Sequence, residues 1–211
     1  MTLCVDTLVV GPMSTNCYLV YERESRMGVV IDPGGEGERI VERISELKLQ
    51  IDLVVNTHGH IDHILADYEV VEATGSGVAI HPADEFMFAI AWDQFIPDMD
   101  IDFKVPSRYI LVDEGEYICC GGINLKIIYT PGHSPGGICL YRQGELFSGD
   151  TLFFEGVGRD DLPGGDWEEL RRSVTEKLFR LPADTKVYPG HGPPTTIGHE
   201  MANNPFFRVK D

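Results

Sequence analysis

Between Thr57 and His63 the chain reads Thr57-His58-Gly59-His60-Ile61-Asp62-His63, three histidines and an aspartate within six residues. Neutral imidazoles and ionised carboxylates ligate zinc or iron, and four donors this close do not easily serve one tetrahedral ion. Alternate residues of an extended loop point to one side, so His58 and His60 can share a metal. Asp62 and His63 lie one step on, where a helix begins, and can turn toward a second. The chain holds only seven histidines. Three of them in one loop weigh against a solvated turn that happens to be histidine-rich.

Three further candidates sit in similar settings. His133 lies in Thr130-Pro131-Gly132-His133-Ser134-Pro135-Gly136, Asp150 in Phe147-Ser148-Gly149-Asp150-Thr151, and His191 in Tyr188-Pro189-Gly190-His191-Gly192. Each follows an apolar run that reads as a strand, and each is preceded by a glycine that lets the backbone turn tightly. Alone, each would be an ordinary turn residue. Beside the first cluster, each reads as a ligand presented from a stiff strand end.

The elements that must hold them follow from periodicity. Strands are expected at 3–10, 16–22 and 27–31, with Asp32-Pro33-Gly34-Gly35 ending the third. Ile40, Val41, Ile44 and Leu47 recur at helical spacing in 36–49, and 51–56 is an apolar run suited to a buried strand that delivers the histidine loop. A helix is expected from about 64 to 73, a short strand at 78–80, a helix at 83–91 and irregular chain over 92–107. From Tyr109 to Phe147 the pattern turns β. Residues 166–181 form an amphipathic helix with Asp166 as candidate N-cap, 186–188 a last strand, and a short helix closes the chain. No linker or low-complexity tract divides the sequence, so one domain spanning 1–211 is expected. Two similar halves suit an α/β (α+β) four-layer sandwich, with two β-sheets inside and helices outside.

Composition narrows the function classes. Formal net charge is −17, which argues against nucleic-acid or anionic-membrane partners, because phosphate neutralisation needs clustered Lys and Arg. Five scattered cysteines without a C-x-x-C pair argue against a disulfide framework or a thiolate zinc knuckle, and point to a reducing, cytoplasmic compartment. The first residues lack a basic region followed by an apolar run, so no signal peptide is read, and no apolar stretch is long enough to span a bilayer.

The H-x-H-x-D-H run, followed by a G-H, an S-G-D and a second G-H, resembles the signature of the metallo-β-lactamase superfamily. The resemblance extends from Asn16-Cys17-Tyr18 to Asn204-Pro205-Phe206. The wording around His133, Ser148-Gly149-Asp150-Thr151-Leu152-Phe153 and Gly190-His191-Gly192 is most similar to the glyoxalase II (hydroxyacylglutathione hydrolase) branch. It implies one metal on His58, His60 and His133, a second on Asp62, His63 and His191, and Asp150 bridging both together with a hydroxide. The implied cofactors are two divalent ions, zinc first, with iron or manganese as alternatives. A metal lowers the pKa of its water from near 16 to roughly 7. The expected chemistry is attack of the bridging hydroxide on the carbonyl of a small-molecule thioester, with Asp62 orienting it and the oxyanion stabilised by a metal. The expected protein is a monomer or a small homo-oligomer.

Departures from the branch bear on substrate. The chain ends soon after His191, without the C-terminal helical region that binds glutathione, and Gly192-Pro193-Pro194 stands where a tyrosine is common. Both bear against classical glutathione recognition. Arg159 occupies the place of a basic residue in the loop after Asp150 and could meet a substrate carboxylate, or pair with Asp160 or Asp161 at the surface. The runner-up activity is a persulfide dioxygenase with one iron on His58, His133 and Asp150, sharing the wording Gly158-Arg159-Asp160-Asp161. A lactonase or phosphodiesterase would use the same metals. His81 and His199 match no ligand position and read as structural or solvated, and Cys119-Cys120 as inert thiols. Phe86, Phe88, Trp92, Phe95 and Phe103 read as core before substrate wall, and Asp98 to Asp102 as a solvated loop.

Overall fold

Strand β2 (Thr15–Glu22) is buried along its whole length, and its side chains alternate between two cores. Tyr18 and Val20 face one apolar cluster, Cys17 and Leu19 another, as the two-residue period of a strand requires. A strand buried on both faces lies inside a sandwich, and the computed structural model, which describes residues 2–90, 92 and 103–207, shows one.

The first sheet has six strands in sequence order: β1 (Leu3–Val10), β2, β3 (Met27–Ile31), β4 (Gln50–Val55), β5 (Gly77–Ile80) and β6 (Tyr109–Leu111). β1 to β3 run antiparallel, and β3 to β6 are joined in parallel pairs. The second sheet has the order β12-β11-β10-β9-β8-β7, built from β7 (Tyr117–Cys120), β8 (Ile123–Tyr129), β9 (Ile138–Arg142), β10 (Glu145–Gly149), β11 (Lys186–Pro189) and β12 (Thr195–Thr196). Its pairings are antiparallel except β10 with β11. Val29, Ile31 and Val55 of the first sheet meet Leu125, Ile127, Leu140 and Phe147 of the second in the central core.

Helices cover both outer faces. Ile40 and Ile44 of α1 (Gly37–Glu46), Ile61 and Ile64 of α2 (Ile61–Ile64), and Val70 and Val71 of α3 (Asp67–Thr74) pack on the first sheet. Leu146 and Val187 of the second sheet pack against Val174, Leu178 and Ile197, in the segment after α4 (Trp167–Arg172) and in α5 (Ile197–Asn203). This is the expected αββα order. The family resemblance also implied it.

Three helices differ from the periodicity. The one expected at 64–73 is two, because the Ala66 amide donates to Pro33 O at 2.9 Å instead of continuing the helical ladder. The one at 166–181 keeps Asp166 as its N-cap, accepting from Glu169 N at 2.9 Å. It then loosens to a π turn at Ser173–Lys177 and tightens to a 3-10 turn at Leu178–Arg180. There the Ser173 hydroxyl donates to Pro131 O at 2.8 Å, tying the helix to the His133 loop. The segment expected as a helix at 83–91 is a 3-10 helix over Pro82–Ala89. Phe95 and the acidic stretch 98–102 lie outside the described residues. Among the described residues, no helix is long and apolar enough to cross a membrane.

Candidate metal centre

The loop that leaves β4 carries four of the seven candidate donors, and a buried carboxylate shapes it. Asp32 follows β3 with φ +52°, a left-handed conformation that Asp tolerates better than most residues. It accepts from Thr57 N and Thr57 Oγ1, both at 2.7 Å, and from His63 Nδ1 at 2.9 Å. The Thr57 hydroxyl proton is thereby committed to Asp32, so its 3.1 Å contact with His58 Nδ1 is a bond donated by the imidazole. His58 and His63 thus each spend their Nδ1 proton on the protein and turn Nε2 inward. His133 does the same, donating Nδ1–H to Arg159 O at 2.7 Å. Such bonds fix the tautomer and direction of ligating histidines.

The three strand-end segments of the second sheet complete two triads. His133 Nε2 lies 3.2 Å from His58 Nε2 and 2.9 Å from His60 Nδ1. Beside it, Asp62 Oδ2 lies 3.5 Å from His63 Nε2 and 3.2 Å from His191 Nε2, and these two nitrogens are 3.3 Å apart. Asp150 stands between the triads, with Oδ1 3.4 Å from His63 Nε2 and Oδ2 3.6 Å from His133 Nε2 and 3.5 Å from His191 Nε2. Each triad takes two donors from the loop after β4 and a third from the opposite sheet.

These residues fit divalent cations. Facing lone pairs on His58 and His133 repel unless a positive centre lies between them. Tetrahedral metal–nitrogen bonds of about 2.0–2.1 Å set neighbouring donors roughly 3.3 Å apart, the spacing found here. Asp150 Oδ1 is buried with no hydrogen-bond partner among the described residues, a state that costs free energy unless a cation relieves it. The charge states also suit ligation. Burial, reinforced by neighbouring imidazoles, holds the His58 pKa well below its ordinary value, and burial and His133 bring His60 down to about 3. Both rings are neutral and need shed no proton to bind. Burial alone would raise Asp62 and Asp150, but His63 and its neighbours outweigh it and keep both carboxyls ionised. Conversely, burial opposes charge on His63, yet Asp150, Asp62 and Asp32 outweigh it and raise its pKa. The surroundings of the second triad favour positive charge.

A second buried carboxylate joins the loops of the first triad. Asp84 Oδ2 accepts from Gly59 N at 2.9 Å and Ser134 Oγ at 2.6 Å, and Oδ1 accepts from Gly136 N at 2.5 Å. Asp32 and Asp84 were not singled out by the sequence. The only signal for Asp32 is its place in Asp32-Pro33-Gly34-Gly35, and for Asp84 an acidic residue at the start of a helical turn. The His191 loop is held by Asn16, whose Nδ2 donates to Pro189 O at 3.0 Å and Gly192 O at 2.9 Å. Of the glycines before His133, Asp150 and His191, Gly132 and Gly149 have φ of +129° and +48°, and at all three a methyl group would overlap a neighbour, at Gly190 the Asp150 Oδ1 atom.

Five of the donors, His60, Asp62, His133, Asp150 and His191, line a cleft of about 680 Å³ that also includes Met13, Met87, Trp92, Phe153 and Arg159. Trp92, read first as core, is buried and also lines this cleft, while Phe88 and Phe103 stack on each other in the first-sheet core and Phe86 is exposed. Arg159 forms a two-pronged pair with Asp161. His81 caps the 3-10 helix and stacks on Tyr129, and His199 stacks on Phe154, away from the donors. Cys119 is exposed and Cys120 buried on the opposite strand face, both as free thiols.

Comparison with known proteins gives a consistent result. Residues 10–191 match the family model described as the metallo-β-lactamase superfamily. The hydroxyacylglutathione hydrolase GloC of Haemophilus influenzae is 37% identical over 213 residues, covering 98% of this chain and 99% of that protein. The structure of the BLEG-1 B3 metallo-β-lactamase superposes with a TM-score of 0.91 at 34% identity, over 98% of this chain and 100% of that one. A di-iron-bound form of TTHA1623 superposes at 0.85 and 34% identity, over 95% of this chain and 99% of that one. The family model spans all seven donors, and this chain belongs to the metallo-β-lactamase superfamily.

Proposed function

We propose that this chain is a metal-dependent thioester hydrolase of the hydroxyacylglutathione hydrolase type. One divalent cation would be held by His58, His60 and His133 and another by Asp62, His63 and His191, with Asp150 serving both. The observation that carries this reading is the convergence of six donors into two adjoining triads with Asp150 between them, beside one cleft that His60, Asp62, His133, Asp150 and His191 line. Bound divalent cations supply Lewis acidity, which lowers the pKa of water toward neutrality and stabilises negative charge on a carbonyl oxygen.

The chain's own residues do the rest. Asp62, kept ionised beside His63 and His191, accepts a hydrogen bond from the attacking water and so orients it. The apolar wall limits competing water. A thiolate leaves readily, since thiol pKa values lie near 8.5, and no general acid has to be found among the side chains. The name of the Haemophilus relative supports the thioester assignment, and the di-iron form of TTHA1623 keeps iron beside zinc as a candidate metal. The full donor set supports hydrolysis over one-iron dioxygenase chemistry on His58, His133 and Asp150, which would leave His60, Asp62, His63 and His191 without a ligand role.

The test is metal analysis of the purified chain together with thioester hydrolysis by the His58→Ala and Asp150→Ala variants. Both are expected to lose bound metal and at least 100-fold in kcat/KM. Near-full activity with normal metal content in either would overturn the reading.

A further inference from the structure

The cleft offers substrate two unlike surfaces. Five of the seven donors line one side of it, and its walls are mainly apolar, formed by Met13, Met87, Ile90, Trp92, Phe153 and Leu162. Among the described lining residues Arg159 is the one cation outside the cluster. Its guanidinium is already engaged, with Nε donating to Asp161 Oδ1 at 2.6 Å and Nη2 to Asp161 Oδ2 at 2.8 Å. A carboxylate arriving at the Nε–Nη2 edge of Arg159 competes with this two-pronged partner, and the Nη1 side of the fork is what the pair leaves open.

We propose that the site takes thioesters whose acyl and thiol portions are uncharged and largely apolar, in preference to glutathione thioesters. This rests on the thioesterase reading above and names its substrate class. The glutathionyl group carries two carboxylates and an ammonium. Placing carboxylates against Met, Ile, Trp and Phe without an available cation costs their hydration. An aliphatic or aryl group gains from leaving water on the same surface. Asp161 therefore acts as a selectivity residue, keeping Arg159 from carboxylate-bearing substrates.

The experiment compares two substrates with one acyl group, S-butyryl-N-acetylcysteamine and S-butyrylglutathione, on the metal-loaded full chain. The neutral thioester is expected to have at least a 10-fold higher kcat/KM. In Asp161→Asn, which frees Arg159, the rate on the glutathione thioester should rise about fivefold relative to the neutral one, through KM. Equal or faster cleavage of the glutathione thioester by the unaltered chain overturns the inference and leaves the thioesterase reading standing. An unchanged ratio in Asp161→Asn overturns the role given to Asp161. Cleavage of neither substrate overturns the thioesterase reading, and the substrate class falls with it.

Discussion

Asp32 Oδ2 lies 2.9 Å from His63 Nδ1, and both side chains are sealed from solvent at 1% and 0% exposure. The carboxylate that ends β3 therefore sets the direction of a ring at the start of α2, 31 residues away in sequence.

Asp32→Asn should preserve the left-handed backbone, which Asn also tolerates, while replacing one acceptor oxygen by a donor. Loss of such an outer carboxylate typically costs 10- to 100-fold in metal affinity. The expected loss falls on the triad of Asp62, His63 and His191, with His58, His60 and His133 less affected. Metal titration followed by isothermal calorimetry should resolve one weakened site. Two unaltered sites would show that His63 holds its direction without Asp32.

Removing Asp84 attacks the other triad from behind. Asp84→Ala leaves Gly59 N, Gly136 N and Ser134 Oγ without their buried acceptor, at a cost of about 3 kcal/mol or more. Urea denaturation of the metal-free protein should show this as a lower midpoint with little change in slope. A midpoint equal to that of the unaltered chain would mean that the two loops are held by other contacts.

At Gly190 a single methyl is expected to separate folding from metal binding. Its Cβ would overlap Asp150 Oδ1 and lie 2.8 Å from His63 Cε1. Gly190→Ala should therefore displace the carboxylate shared by the triads, giving a folded chain with less bound metal and at least 10-fold lower activity. Full metal content, measured by elemental analysis, would contradict the packing described here.

Thiol reactivity gives a pH-dependent check on the interior. The thiolate is the reactive form. Burial raises Cys120 and Cys139 to about 11, and burial with the charges of Asp32 and Asp67 raises Cys17 well above its ordinary value. A thiol with pKa near 11 is only on the order of 0.1% ionised at pH 8, and its thiolate fraction grows as pH rises toward 11. A brief iodoacetamide pulse at pH 8 should modify the exposed Cys119 and spare Cys17, Cys120 and Cys139, as read by peptide mass spectrometry. Rapid labelling of Cys139 at pH 8 would contradict its burial.

What the sequence made legible was local. His58, His60, Asp62 and His63 declare themselves by spacing within one loop, and His133, Asp150 and His191 by a glycine at the end of an apolar run. The strands were visible because burial on a sheet face repeats every two residues, as in Cys17 to Val20. The break at Ala66 was not visible, because Ile61, Ile64, Val70 and Val71 suit one continuous helix as well as two, and the partner that divides them is Pro33 O. Asp32 and Asp84 escaped for the same reason. Their partners lie between 25 and 52 residues away, and nothing in an isolated aspartate shows which amides the fold will aim at it.

Because each triad draws two donors from one sheet and one from the other, neither half of the sandwich can complete a coordination shell by itself. Ion occupancy and the closing of the sheets are then linked equilibria. A cation at 100 times its dissociation constant stabilises the closed form by about 2.7 kcal/mol. Chelators should thus loosen the seam between the halves as well as stop turnover, and the cations would work as rivets across the sandwich.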